Sequence, residues 1–450
     1  MRFDPTAKIL AALAPGLVLA CSGQADDDPN PSGGGSPRYA ARAEADADFL
    51  SAYAETNRFR LGRPRAFEIL PDGSGVLFLR SPARSFEGSL SLFDVATGEE
   101  RVLLTAEQLL AGAEEELTAE ERARRERMRL TASGIASYRL SSDGSRILIP
   151  LSGRLFVVDR ARIGQPDAVR ELESAAGPAI DPRFSPDGTK IAAVRDGDLY
   201  VIDVATGAER RLTTKRSPDI ENGLAEFVAQ EEMGRMRGYW WSPDSAFLAY
   251  QETDHAGMER MHILDPMHPE RDAQAWPYPR PGQANAKVRL GVIPASGGST
   301  TWIDWDRERY PYLAAVTWSG PLTALVQSRD QHDEALLAID HASGRTRELF
   351  TEHDDAWINL DPSVPRWIDG GTQLLWSTER EGSWQLELRD ANGQLVRALT
   401  PPGFGYRKVI DVDEERGEVW VHASPEPSET HVYRVPLSGE SEPVKMTEQP

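Results

Sequence analysis

The sequence predicts an all-β fold, a β-propeller of about seven four-stranded blades, on three observations. One phrase returns along most of the chain in altered form. Each copy is an alternating strand, a turn built on Pro-Asp or Ser-Asp and usually Gly, and a second apolar strand. Two stretches that break this grammar fall on connections between copies, where a propeller tolerates insertions.

At the start, "ILAALAPGLVLA" from Ile9 to Ala20 is apolar and follows Arg2 and Lys8. It is shorter than the roughly 20 residues a bilayer span needs, and it reads as an export signal over residues 1–20. The chain's single cysteine, Cys21, directly follows "VLA", so no internal disulfide exists and export rests on the signal alone. A buried structural cysteine is the other reading of Cys21. "QADDDPNPSGGGSP" from Gln24 to Pro37 is acidic and then rich in Pro, Gly and Ser, so residues 21–45 form a tether to a domain over 46–450.

The repeat is clearest in "FEILPDGSGVLFLRS" (Phe67 to Ser81), "YRLSSDGSRILIPLS" (Tyr138 to Ser152), "PRFSPDGTKIAAVRD" (Pro182 to Asp196) and "YWWSPDSAFLAYQET" (Tyr239 to Thr253). A third strand and an "ATG" turn follow in "SLSLFDVATGEERVLL" and "DLYVIDVATGAERRLT". Worn copies run from Ala314 to Phe350, Pro365 to Thr400 and Lys408 to Thr447, making seven. The fourth is lengthened by an insertion beginning "MHPERDAQAWPYPRPG" and running to "TTWID" at Asp304. On the repeats alone, a scaffold that binds another protein is the plainest function.

The first break, "TAEQLLAGAEEELTAEERARRERMRLTASG", has a helical pattern between blades 1 and 2. Thr118 and Glu121 suggest a capping box, arginines crowd the C-terminal half, and Gly134 is the expected stop. The second, between "SPDIENG" and "GYWWSPDS", contains the adjacent acids Glu231 and Glu232.

With 50 Lys and Arg against 71 Asp and Glu, the formal charge is −21, and no basic stretch interleaves with aromatics. Nucleic acid is excluded as a partner, and cationic ligands are favoured. His332 and His353 stand among acids without the spacing of a metal-ligand set, so no metal or cofactor is expected.

These residues resemble a known family. "NGLAEFVAQEEMGRMRGYWWSPDS" is similar to the double-glutamate motif of the dipeptidyl peptidase IV family, and "RERMRLTASGIASY" to the arginine helix of its branch with bacterial enzymes and dipeptidyl peptidases 8 and 9. The resemblance implies a propeller of the eight-bladed type. It implies that Glu231 and Glu232 bind the free α-amino group of a peptide, and that Arg129, with Arg125 and Arg127 as alternatives, binds the carbonyl of the second substrate residue. The family's Ser, Asp and His find no counterpart: the glycine pair four apart, "GRMRG", centres on Met236 and not on serine. The expectation is a propeller truncated before its last blade and hydrolase domain, inactive alone, whose partners are peptides with a free N-terminus and a separately encoded hydrolase. The alternative is a non-catalytic propeller that captures peptide or protein partners at the cell envelope. Cys21 likewise resembles a lipobox cysteine, implying a lipid anchor as the membrane attachment. Ser22 then favours the periplasmic side of a bacterial outer membrane.

Overall fold

The computed structural model describes residues 48–113, 115–117, 119–127 and 131–449. Cys21, Thr118 and Arg129, and with them the leader and most of the tether, lie outside the described residues. The chain divides into two units, Met1–Arg58 and Phe59–Pro450. The described part of the first is a helical stretch at 48–55. No helix among the described residues is long and apolar enough to cross a membrane.

Within Phe59–Pro450, seven antiparallel sheets follow one another along the chain, beside one separate two-stranded ribbon. They span residues 65–104, 139–171, 180–211, 220–302, 312–353, 366–398 and 406–445. Strands pair in chain order, and the first sheet adds a short parallel strand, Ser133–Gly134. This is a seven-bladed propeller, as the repeats predict.

Local chemistry makes the hairpins. Asp72, Asp143, Asp187 and Asp244 each accept a backbone N–H two residues ahead through Oδ1, at about 3.0 Å. The next residue turns left-handed: Gly73, Gly144 and Gly188 have φ of 69°, 71° and 68°. Ser245 takes the same position in blade 4 at φ 60°, and its Oγ accepts the Asp187 N–H at 3.1 Å, tying blade 4 to blade 3.

Strand periodicity then builds the core between blades. Adjacent residues point to opposite faces, so Ile147 and Ile149 pack toward blade 1 while Leu148 packs toward blade 3. Both faces of a middle blade are therefore apolar, and each such buried side chain contributes about 1.5–3 kcal/mol. Six clusters join blade 1 to 2, 2 to 3, and onward to 6 and 7. Among the described residues no cluster joins blade 7 to blade 1. On the outer face of blade 1, Phe67 and Ile69 are 60% and 71% exposed, and on blade 7 Val444 and Met446 are also exposed.

Two segments differ from expectation. The first insertion holds two helices, α1 (Ala106–Leu110), which ends on Ala111 in the left-handed region, and α2 (Ala119–Arg127). The expected helix stop, Gly134, is a strand residue, paired in parallel with Gly88. The supposed insertion up to Asp304 contains strands Lys287–Pro294 and Thr301–Trp302 of blade 4 itself. The true excursion is the ribbon Arg260–Ile263 and Gln274–Pro277. Alternation in "KVRLGVIP" marked the strand, but the surrounding Pro and Gly masked it.

Candidate functional site

The double-acid segment leaves the sheet in mid-strand. The first strand of blade 4 is split into Ile220–Asn222 and Tyr239–Trp241, and both pieces pair with Phe247–Asp254. Gln251 bridges the split through its backbone, accepting from Gly223 N and donating to Gly238 O, both at 2.8 Å. The neck is narrow because its walls are glycine. Gly223 has φ 82°, and a Cβ on Gly238 would fall well inside contact distance of the Gly223 carbonyl.

Inside the neck, α3 (Phe227–Glu231) starts on Glu226, whose Oε1 accepts the Ala229 N–H at 3.1 Å. The other oxygen of Glu226 accepts from Gln251 Nε2 at 2.6 Å. Arg235 anchors the exit. Buried over Trp240, it donates to Leu313 O of blade 5, Arg237 O and Gln251 Oε1, and lies 3.7 Å from Glu226 Oε2. Burial lowers the pKa of this guanidinium from its ordinary value, while Glu226 opposes that shift.

With the neck so fixed, α3 buries Ala229 and Gln230, Met233 just beyond it is also buried, and both Glu231 and Glu232 are exposed. They stand at the C-terminal end of a helix with no basic residue in its last turn, where the aligned peptide dipoles disfavour negative charge. The two carboxylates and the C-terminal end of α3 thus concentrate negative charge on one exposed turn.

The arginine helix reaches this place. Arg127 Nη1 donates to Gln230 Oε1 at 3.0 Å, and its guanidinium lies 5.6 Å from the Phe227 ring centroid. The two insertions, which the sequence places on separate connections, therefore meet through α2 and α3. Arg125 serves its own excursion instead. It is 5% exposed and binds Glu115 and Glu121 at 2.9 Å and Ala132 O at 3.2 Å, while Glu115 also accepts the Gly134 N–H at 2.7 Å. Of the three arginines considered, Arg125 is a local brace, Arg127 lies at the junction, and Arg129 is outside the described residues.

Beside the junction lies a cavity of about 120 Å³, lined by Arg127, Glu221, Glu226, Phe227, Gln230 and His255 among others. His255 Nε2 is 3.3 Å from Glu221 Oε2. Burial acts to raise the Glu221 carboxyl, but the His255 hydrogen bond and charge, with Arg127 and Lys215, hold it below its ordinary value. Gln230, Glu226 and Arg235 escaped the sequence reading. Only Glu226, an acid immediately before the apolar start of a helix, carried a recognisable signal there. Among the described residues no group of three or more His, Cys, Asp or Glu side chains is placed to hold a metal ion.

Comparison with known proteins agrees with this architecture. The family model described as "Dipeptidyl peptidase IV (DPP IV) N-terminal region" matches residues 141–450. The chain is 34% identical over 302 residues to dipeptidyl peptidase 8 of Homo sapiens, covering 59% of this chain and 33% of the relative. It is 24% identical over 382 residues to a probable dipeptidyl peptidase 4 of Aspergillus flavus, covering 78% of this chain and 46% of the relative. The fold is similar to a crystal structure of Porphyromonas gingivalis dipeptidyl peptidase 4, with TM-score 0.68, 21% identity and coverage of 86% of this chain and 54% of that one. The chain spans less than half the length of these two sequence relatives. By the extent of the family match, this chain belongs to the dipeptidyl peptidase IV N-terminal region family.

Proposed function

We propose that this propeller binds the free amino terminus of a peptide through Glu231 and Glu232 and gates substrate for a dipeptidyl-peptidase-type serine hydrolase domain. The observation that carries the reading is the Arg127–Gln230 bond, which sets the arginine helix against the helix that presents both acids. An ammonium between the two carboxylates relieves their repulsion and makes charge-assisted hydrogen bonds. Holding the amine at a set distance from a nucleophile would select cleavage after the second residue. Arg129, shortly after Arg127, is proposed to bind that residue's carbonyl. No Gly-x-Ser-x-Gly elbow occurs in these 450 residues, so cleavage requires a hydrolase domain outside this sequence. Attachment at the cell envelope through lipidated Cys21 belongs to the same proposal.

The test is calorimetric binding of Val-Pro and N-acetyl-Val-Pro to the purified chain. Binding of the free amine with loss on acetylation supports the reading, and equal binding of both removes it. The non-catalytic alternative uses the same acids. Adding a dipeptidyl-peptidase-type hydrolase domain in trans separates the two: dipeptide release from a proline-linked chromogenic substrate supports gating, and none supports capture alone.

A further inference from the structure

Blade 5 carries a second acidic feature, remote in sequence from Glu231 and Glu232. Gln327, Glu334 and Glu352 are in register on three consecutive strands and so form one row on one face of the sheet. Glu352 is fully engaged. Its Oε1 accepts from Trp376 Nε1 at 3.2 Å and lies 3.5 Å from Arg389; its Oε2 accepts from Thr378 Oγ1 at 3.0 Å and lies 3.3 Å from Arg380. The same two arginines bind Glu387. Two of the three carboxylates thus take both guanidiniums, and the one left over is Glu334. It is 4% exposed, yet its Oε2 has no hydrogen-bond partner, nor has Gln327 Nε2 beside it. A buried carboxyl oxygen without a partner, charged or protonated, is costly enough that a native site of this kind calls for an explanation.

Glu334 lies at the wall of a cleft of about 290 Å³ between blades 5 and 6, whose rim carries Asp354, Asp355, Glu379 and Trp384. The lining acids outnumber the one lining arginine, Arg380, and offer a negative field. The described acids are not grouped to hold a metal ion. We propose that this cleft is a binding site for an organic cation, an ammonium or guanidinium on an alkyl stem, whose charge pairs with Glu334. The site does not depend on the reading of Glu231 and Glu232.

Burial, followed by the charge of Glu352, pushes the Glu334 carboxyl up to about 8. The other groups around the cleft are Arg380, Arg389 and Glu387 from blade 6, and His353, Asp354, Asp355 and Glu379 at the rim. A carboxyl raised in this direction is expected to carry a proton in the empty site at pH 7. Cation binding expels it, so affinity rises with pH toward 8 and levels off above.

The test is calorimetry of the full chain with butylguanidinium, butylammonium and the neutral isostere butylurea at pH 7, in two buffers of different ionisation enthalpy. Expected are binding of at least one cation, weak or absent butylurea binding, and proton release to buffer. Glu334→Gln is expected to weaken the cation by about 30-fold or more, as loss of a buried charge partner does. No cation binding to the wild-type chain, or binding without proton release, overturns the proposal; this arm needs no variant to fold. Binding retained by a folded Glu334→Gln but lost in Glu231→Gln/Glu232→Gln also overturns it, and places the cation at α3.

Discussion

Arg127 and Gln230, 103 residues apart in the chain, are joined by a 3.0 Å hydrogen bond. This contact brings the excursion from blade 1 to the excursion from blade 4 and adds a second hold on α3 beside the neck. Arg127→Ala is expected to leave the fold intact, since the side chain is only partly buried and one charge-assisted bond contributes about 1.5–3 kcal/mol at most. It should weaken binding of a free-amine dipeptide several-fold by loosening α3. Calorimetry checks the binding, and thermal unfolding checks that the core is unchanged.

Each acid is expected to matter separately. Glu231→Gln and Glu232→Gln should each weaken a free-amine dipeptide about 10-fold or more, the worth of a charge-assisted bond. Neither should alter thermal stability by more than about 0.5 kcal/mol, because both residues are exposed. Unchanged affinity in both variants would remove the receptor role.

The neck makes a stability prediction. Gly238→Ala drives a methyl group into the Gly223 carbonyl and is expected to cost about 2–4 kcal/mol, seen as a lowered denaturation midpoint. Gly234→Ala is the control. Gly234 has φ 65° with open space around its Cβ position, so only backbone strain of about 1 kcal/mol is expected. Equal effects would show that the close approach at the neck is unimportant.

Protection should vary with blade position. Blades 2 to 6 are clustered on both faces, whereas blades 1 and 7 each share a cluster with one neighbour among the described residues. Hydrogen exchange is therefore expected to be fastest in 65–104 and 406–445. Uniform protection across all seven blades would show that the two terminal faces are covered in solution.

How much was legible in the chain depended on how local each cause is. The turns were, because Asp and Gly enforce them within four residues; even Ser245 keeps the phrase recognisable while replacing the glycine. Seven blades followed from repetition, and the acidic pair stood out because its flanking phrase is distinctive. The strands hidden at Lys287–Pro294 and Thr301–Trp302 were missed, since flanking Pro and Gly mask the alternation of the first and the second is too short to show any; pairing of the first with Phe247–Asp254, and of the second with the first, decides them. Glu334 was also unreadable: one acid in a strand looks solvated until the register brings Gln327 and Glu352 alongside and blade 6 takes the arginines.

By itself, then, the amino-acid sequence determined the propeller, its blade number, its acidic charge and the presence of Glu231 and Glu232 beside an aromatic strand. Those properties rest on turn chemistry, strand periodicity and composition, which act over a few residues at a time. Only the tertiary structure decided that the first strand of blade 4 opens to release α3, that Arg125 is spent on its own loop while Arg127 crosses to Gln230, and that Glu334 is left without a partner. Each of these depends on which distant groups compete for the same donor or the same space, and that competition exists only once the blades have packed.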